Sequence, residues 1–408
     1  MTRGFRKWLI GAVLVLALAA SPFLLSLPAG AQGTEPAPAQ VAAEKPAVVG
    51  SDLGLPGKIG EAIKNAPVGK GKGQIDPEAP RGVFGIPGAP QVNYVVAILW
   101  AVWVGWIFST VGAFGGIMAG VGHMTVYGLG DYARTFKDSV PALNKTLTDS
   151  IRTSNQWLVG LSSILSVINY LKSRRMSWPL GLALGAGSIV GAFTAASLSG
   201  GKVSFSQYQG WFGFFVLVVA GFLFYETTPA GQASKKAVKA ATQAFEQAVR
   251  EKGDTCAMGV CAKEWGLTRS TFTFFGSEFS FNPIWAFVGG LVIAAISAFI
   301  GVGGGFLYVP YLTTFVGLPM YIVAGTSALA VFISMVTSIT TYIQLAGAGM
   351  DWGLVGTQLV GVFVGSMIGP RTQKYIPDIW LKRLFVVLAL YVGIRYFSRG
   401  FFGVSWVP

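Results

Sequence analysis

The sequence predicts an all-α fold: a polytopic helical membrane protein with two inverted repeats, each containing a Gly-rich broken helix or helix hairpin. Three observations support this prediction. Hydrophobic residues make up 52% of the chain, charged residues only 12%, and the mean hydropathy is +0.58, whereas a soluble domain has about 25% charged residues. Long windows lack any charged side chain, and glycine-rich motifs recur in both halves. This composition argues against a large soluble enzyme.

Positive charge is in excess, but its distribution argues against nucleic-acid binding. The 30 Lys and Arg residues outnumber the 17 Asp and Glu residues and are scattered through connecting segments and tails, as in cytoplasmic loops of membrane proteins. One histidine, His123, excludes a multi-histidine metal site, and two cysteines, Cys256 and Cys261, exclude a disulfide scaffold. We therefore expect no cofactor, no metal site and no catalytic residues, and a lipid bilayer rather than nucleic acid as partner.

The N-terminus has the features of an export signal. Basic residues precede an apolar run that ends near Leu27, and Ala29–Ala31 supplies a small-residue cleavage site. Residues 1–31 are therefore either a cleaved signal peptide or an N-terminal anchor helix. Residues 32–92 are rich in Pro, Gly, Ala and Lys without apolar periodicity, which predicts a flexible extracytoplasmic linker with no core of its own.

The first transmembrane repeat is expected at residues 93–228. Residues 94–130 lack any charged side chain and would form a helix of about 55 Å, longer than the roughly 30 Å core of a bilayer. The chain must therefore break inside this window, and Gly112–Gly116 is the natural hinge. Further uncharged windows each hold one helix, which makes five crossings; they cover residues 154–171, 176–201 and 203–225.

A cytoplasmic loop is expected to separate this repeat from the second one. Residues 229–281 carry many charges and predict an amphipathic helix near Lys235–Arg250. The second repeat is expected at residues 282–408, because residues 279–350 contain no charged side chain. Three spans fit in that window, which is broken at Gly301–Gly305, and two more follow, which again makes five crossings.

The two halves resemble each other in sequence. The motif Gly112–Met118 aligns with Gly301–Leu307. If residue 93 starts outside and each half crosses five times, the cluster Lys172–Arg175 lies in the cytoplasm, as the positive-inside rule requires, and residues 347–350 face outward. The odd number of crossings inverts the second copy. This distribution favours inverted repeats. Further aligned pairs are Thr153-Ser154 with Thr326-Ser327, Ser177 with Asp351, Gly187 with Gly361, and Gly191 with Gly365.

Glycine-rich breaks at equivalent positions of two repeats indicate a binding site within the membrane. Glycines let a ligand approach the main chain, free N–H groups at a helix N-terminus attract anions, and hydroxyls add hydrogen-bond donors. We therefore expect one central site for a small anionic substrate. The alternative is that these glycines only allow close helix packing. The expected substrate-binding residues are Gly115, Gly116, Thr153, Ser154, Gly303, Gly304, Gly305, Thr326 and Ser327.

Other polar residues near the spans have two interpretations each. The uncharged windows contain no acidic cluster, so no cation or proton relay is visible, and no fixed cation is expected deep in the spans. Arg134, Lys137 and Arg152 either concentrate anions at an entrance or lie on a solvated surface. His123 is either a packing residue or a proton carrier, and Asp351 either caps a helix or acts in gating.

One stretch of the second half resembles a known family. The run Gly301–Pro310 is similar to the glycine signature of the sulfite exporter TauE/SafE family of membrane permeases, and so is its continuation through Ala324–Ser327 to Asp351-Trp352. The resemblance covers about residues 94–401. It is weaker in the first half, where Phe114 replaces a glycine and Arg152 precedes the Thr-Ser pair.

The resemblance implies a multi-pass transporter of the inner (plasma) membrane that moves sulfite, sulfonates or related small anions. Export of a small sulfur-containing anion is the leading interpretation. The alternatives are an anion channel of the same fold and a permease for a small carboxylate. An intramembrane enzyme is disfavoured, because the spans contain no Ser/His/Asp or paired-acid constellation. An assembly or sensor protein that docks through the loop between the halves is a further alternative.

Overall fold

The computed structural model describes the chain from residue 47 onward, with gaps. The predictions for residues 1–31 and for an amphipathic helix near Lys235–Arg250 lie outside the described residues. The described residues are 47–110, 114–172, 176–232, 260–264, 266, 268–274, 277–318, 320–373 and 378–407.

Long apolar helices form most of this part of the chain. Of the described helices, six are long and apolar enough to cross a membrane, and two shorter apolar helices begin the first half. A mostly helical membrane protein is thus confirmed, while the inverted repeats stay a prediction. The helices are α1 (Gly57–Ile63), α2 (Tyr94–Thr110), α3 (Phe114–Val121), α4 (Leu129–Thr135), α5 (Pro141–Lys172), α6 (Trp178–Ser199), α7 (Phe205–Thr227), α8 (Pro283–Ile300), α9 (Gly305–Pro310), α10 (Met320–Thr341), α11 (Trp352–Gln373) and α12 (Asp378–Phe401). Short π-helical turns follow three of them, at Gly122–Val126, Tyr311–Phe315 and Tyr342–Ala346.

Helices from opposite halves pack in pairs through small residues. Helix α8 lies along α6, α2 lies along α11, and α7 lies along α12. A Cβ atom at Gly191 of α6 would lie 2.0 Å from the carbonyl oxygen of Leu291 of α8, and one at Gly365 of α11 would lie 1.9 Å from that of Val102 of α2. Backbones approach this closely only where glycine leaves out the side chain.

Helix α5 differs from the apolar helices that surround it. It contacts α3, α10 and α11, and most of its residues from Leu143 to Gly160 are buried. Its buried polar residues include Asn144, Thr148, Asp149, Arg152, Asn155 and Gln156. A helix with this many polar side chains at its centre must be enclosed by protein, because lipid cannot satisfy their hydrogen bonds. Helix α5 therefore carries many of the polar groups of the protein's interior, among them the buried charged residues Asp149 and Arg152.

The segment before the first span corrects the linker prediction for residues 47–92. It contains α1, which packs on α5, and it buries apolar side chains such as Ile59, Ile63 and Ile86. Lys58 Nζ donates to Leu345 O at 3.1 Å, and the Phe84 N–H donates to Asp351 Oδ2 at 2.9 Å. These apolar residues show no periodicity because glycines and prolines separate them. The segment folds on itself, with bridges such as Val48 to Pro67, and it packs against the helices.

A small β-sheet corrects the all-α prediction between the two halves. Strands β1 (Cys261–Glu264), β2 (Ser270–Phe274) and β3 (Ser277–Phe281) form an antiparallel sheet in that order. Phe272, Phe274 and Phe281 are buried in the same apolar cluster as Leu312 and Leu318. The alternation of Phe with Ser and Thr in β2 has the period of two that is typical of a strand with one buried face.

Candidate functional site

The two glycine motifs meet inside the helical bundle. Helix α2 ends at Thr110 before α3 begins at Phe114, and α8 ends at Ile300 before α9 begins at Gly305. Between α8 and α9, Gly301 and Gly303 have φ angles of 76° and 77°, a left-handed conformation that glycine adopts without steric cost. A Cβ atom at Gly116 of α3 would lie 2.1 Å from Val302 O. The first motif therefore touches the second motif directly.

Side chains of α5 hold carbonyl groups in and next to these motifs. Asn155 Nδ2 donates to Gly116 O at 3.1 Å and to Gly301 O at 2.6 Å. Gln156 Nε2 donates to Ala298 O at 3.0 Å. The bonds to Ala298 and Gly301, at the end of α8, replace partners that a continuous helix would supply, so this irregular backbone is satisfied by protein.

A fully buried arginine lies next to this junction. Arg152 has a relative exposure of 0%, and its carbonyl oxygen would lie 3.2 Å from a Cβ atom at Gly301. Arg152 Nη1 contacts Asp149 Oδ1 at 3.3 Å and donates to the Tyr342 hydroxyl at 3.0 Å and the Ser199 hydroxyl at 3.4 Å. All the described polar contacts of the guanidinium group are thus made by one nitrogen, Nη1.

Aromatic rings surround the same guanidinium group. Arg152 Cζ lies 4.6 Å from the ring centroid of Tyr208 and 4.9 Å from that of Phe299, within the range of cation–π attraction. Arg152 Nε and Nη2 have no hydrogen-bond partner among the described residues. A buried arginine therefore presents two unused donors, in a place where an unpaired donor is costly.

This position corrects two sequence-based expectations about cations. Arg152 was expected with Arg134 and Lys137 at an entrance or on a solvated surface, and no fixed cation was expected deep in the protein. Only Lys137 is exposed, and Arg134 is partly buried, where it donates to Gln209 Oε1. Arg152 is buried because its charge is paired with Asp149, one turn earlier on the same helix, and because hydroxyls from other helices complete its contacts.

The expected hydroxyl residues are buried but bind mostly within their own helices. Thr153 Oγ1 donates to Asp149 O at 2.8 Å, and Ser327 Oγ donates to Ala324 O at 3.1 Å. Thr326 accepts a hydrogen bond from the Ser177 N–H at 3.1 Å. Ser154 is buried with a relative exposure of 2%. Thr153 and Ser154 thus lie beside Arg152 in sequence, whereas Thr326 lies beside the residue that precedes α6.

Four of the five expected glycines are in tight packing contacts, and one is not. A Cβ atom would lie 2.5 Å from Phe108 Cγ at Gly115, 2.5 Å from Val159 Cγ1 at Gly303, and 2.5 Å from Ser297 Oγ at Gly304. Gly116 has the equally close contact with Val302 described above. At Gly305, no atom lies within 4 Å of the same position. The packing explanation therefore fits four glycines, and Gly305 alone of this set borders free space.

His123 and Asp351 both have described partners. His123 is buried, and its two ring nitrogens lie 3.0 Å from Ala119 O and 3.0 Å from Gln358 Oε1, which agrees with the packing interpretation. Asp351 Oδ1 accepts from the Leu354 N–H at 2.9 Å, which is the predicted helix cap, here at the start of α11. The other carboxylate oxygen of Asp351 accepts the hydrogen bond from the Phe84 N–H and so fixes the segment before the first span to the start of α11.

Sequence reasoning missed most of the residues around the buried arginine. Asp149, Ser199, Tyr208 and Tyr342 were not among the expected site residues. The available signal was the density of polar residues in α5 next to an uncharged window, with Asp149 and Arg152 spaced three apart on one helix face.

Comparison with known proteins agrees with this architecture. The model of the sulfite exporter TauE/SafE family matches residues 97–396. The chain is also similar to the probable membrane transporter protein YunE of Bacillus subtilis (strain 168), with 22% identity over 317 residues that cover 76% of this chain and 100% of that protein. No solved structure gives a significant match.

Proposed function

Because the chain belongs to the sulfite exporter TauE/SafE family, a family of membrane transporters, we propose that it carries a small anion across the membrane and binds it at Arg152. The observation that carries this proposal is the buried guanidinium group with two unused donors. An ionised side chain within a membrane protein is expensive to bury and is typical of a functional site. A bound anion would satisfy the two nitrogens, Nε and Nη2, that Asp149 and the hydroxyls leave without a partner.

We propose that the site lies between two inverted repeats. Reciprocal packing supports this, because Gly191 meets Leu291 and Gly365 meets Val102. Leu291 and Val102 are as far apart in sequence as Gly301 and Gly112, the starts of the two glycine motifs. The π-helical turns that begin at Gly122 and Tyr311 have the same separation. Binding sites near the membrane midplane at a repeat interface are common in transporters.

The proposed orientation places the N-terminal segment and residues 347–350 outside the cytoplasm. Two contacts support a common side for them, since Lys58 binds Leu345 O and the side chain of Ile59 lies 2.5 Å from the Cβ position of Gly349. The cluster at 172–175 then faces the cytoplasm of a bacterial inner membrane, as the positive-inside rule requires.

The proposed substrate is a small sulfur-containing oxyanion such as sulfite or a sulfonate, and the proposed direction is export. The family description supports sulfur chemistry, while the guanidinium group itself binds carboxylates equally well. A channel of the same fold is less well supported, because Arg152 is fully buried and an open pore would hydrate it.

Counterflow in proteoliposomes tests the proposal. We expect labelled sulfite or methanesulfonate to accumulate in vesicles preloaded with the same unlabelled anion, with saturable rates and no accumulation of labelled cations. Acetate, thiosulfate and sulfate complete the panel. Anion exchange equal to that of protein-free vesicles would contradict transport, and a flux that never saturates would favour the channel.

The variant Gly305→Ala tests whether the glycine at position 305 lets the substrate approach the main chain or only allows close packing. The added methyl group meets no atom within 4 Å, so we expect an unchanged or slightly higher melting temperature, since such a change stabilises by about 0.4–1 kcal/mol where the backbone is compatible. If Gly305 lines the substrate path, transport falls. Gly356→Ala in α11, which also meets no atom within 4 Å, is the matched control, and equal transport rates in both variants would exclude Gly305 from the path.

A further inference from the structure

The side of the Arg152 guanidinium group that carries Nε and Nη2, here called its free edge, has a defined shape. The polar partners of the guanidinium group all contact Nη1, whereas Nε and Nη2 have no described partner. In a planar guanidinium group, the N–H bonds of Nε and Nη2 point side by side and form a fork that matches two oxygens of one anion. The rings of Tyr208 and Phe299 lie next to the group, so Nε and Nη2 are the part of it that is left to bind an oxyanion.

The charge of the site is compensated before any anion binds. In the described part of the chain, two charged residues are fully buried, Asp149 and Arg152. Their charges lie 3.3 Å apart, and Asp149 Oδ2 is held by the Gly201 N–H at 2.6 Å. The charge of Lys58 also acts on Asp149, but Lys58 is exposed, so water and salt screen its charge.

A compensated pair discriminates between anions by their charge. A single negative charge at the free edge is attracted by the adjacent guanidinium group and repelled by the more distant carboxylate. A second negative charge adds a larger desolvation cost in the same low-dielectric space, without a second cation to offset it. The site is therefore best suited to an anion that places two oxygens on one side and carries one net charge.

We propose that Asp149 is a specificity-determining residue, which compensates and orients Arg152 so that the site selects singly charged oxyanions, such as a sulfonate or carboxylate monoanion, over dianions such as sulfate. This rests on the proposed transport function and adds the charge of the substrate to it. Asp149 acts through Arg152 and is a positioning residue.

Binding and exchange of matched anions test this proposal. The purified full-length protein is titrated with methanesulfonate and with sulfate at equal ionic strength, and thermal stabilisation and inhibition of counterflow are measured for each. We expect the wild-type protein to prefer methanesulfonate by about tenfold or more, since a factor of ten corresponds to only about 1.4 kcal/mol. Asp149→Asn removes the compensating charge and should lower that preference at least about tenfold, while Asp149→Glu keeps the charge and should retain it.

The outcomes separate the two proposals. A wild-type protein that transports anions but prefers sulfate overturns charge selection, and this result needs no variant to fold. An Asp149→Asn protein that transports anions with the wild-type preference overturns the role of Asp149 and leaves transport at Arg152 intact. The absence of any anion transport by the wild-type protein overturns the proposed function itself.

Discussion

Arg152→Met should abolish anion transport and markedly destabilise the protein. The substitution removes the cation that binds the substrate and leaves the Asp149 carboxylate buried without its partner at 3.3 Å. Breaking a buried ion pair by removing one member typically costs about 3–5 kcal/mol. Transport by counterflow and the melting temperature in detergent, measured on the same preparation, report the two effects.

A double variant distinguishes the two consequences. Arg152→Met combined with Asp149→Leu replaces the whole pair with apolar side chains, which is often neutral or stabilising for a buried pair. We expect the melting temperature to recover towards the wild-type value while transport stays absent. Arg152→Lys keeps the charge but loses the two-pronged edge, so it should bind anions more weakly than the wild-type protein. A double variant that transports anions normally would show that Arg152 is a structural residue.

Gly365→Val should prevent the two halves from packing. The Cβ atom would lie 1.9 Å from Val102 O of α2, and neither backbone can move without separating α11 from α2. Overpacking of a core typically costs about 1–3 kcal/mol and occasionally more, and a clash with backbone belongs at the upper end. We expect loss of monodisperse protein in size-exclusion chromatography after extraction in mild detergent.

The same helix offers a matched control for this substitution. Gly356 of α11 has no atom within 4 Å of its Cβ position, so Gly356→Val should leave extraction and melting temperature close to wild type. Gly191→Val in α6 should resemble Gly365→Val, because its Cβ atom would lie 2.0 Å from Leu291 O. Equal stability of the variants at 356 and 365 would contradict close packing of α2 on α11.

Several features of the fold could be predicted from sequence because they depend on local composition. Windows without charged residues correspond to helices such as α6, α7 and α8, since a lipid-facing helix must satisfy its own backbone and exclude charge. An uncharged window longer than a bilayer must turn, and in the second half α8 ends at Ile300 before α9 begins at Gly305; a Gly-rich broken helix in each repeat stays a prediction. The cap at Asp351 followed from its place before an apolar run.

Other features were misjudged because their apolar residues pack against distant segments. Ile59 and Ile63 are buried although the sequence around them shows no apolar periodicity. They are buried because α1 packs against the distant helix α5. The strands at 261–281 lie in a stretch with many charges, which predicts a loop. Their buried Phe side chains pack in one apolar cluster with Leu312. Sequence periodicity detects a face only when one regular element carries it.

Sequence alone thus determined the membrane class, the positions of the apolar helices and the family. Tertiary structure alone decided the state of Arg152. From sequence it is a cation beside a polar insert, equally suited to a solvated surface. Its burial depends on Ser199, Tyr208 and Tyr342, which lie far from it in the chain and reach it from other helices. Whether a charge is solvated or enclosed depends on everything packed around it, and no local pattern contains that information.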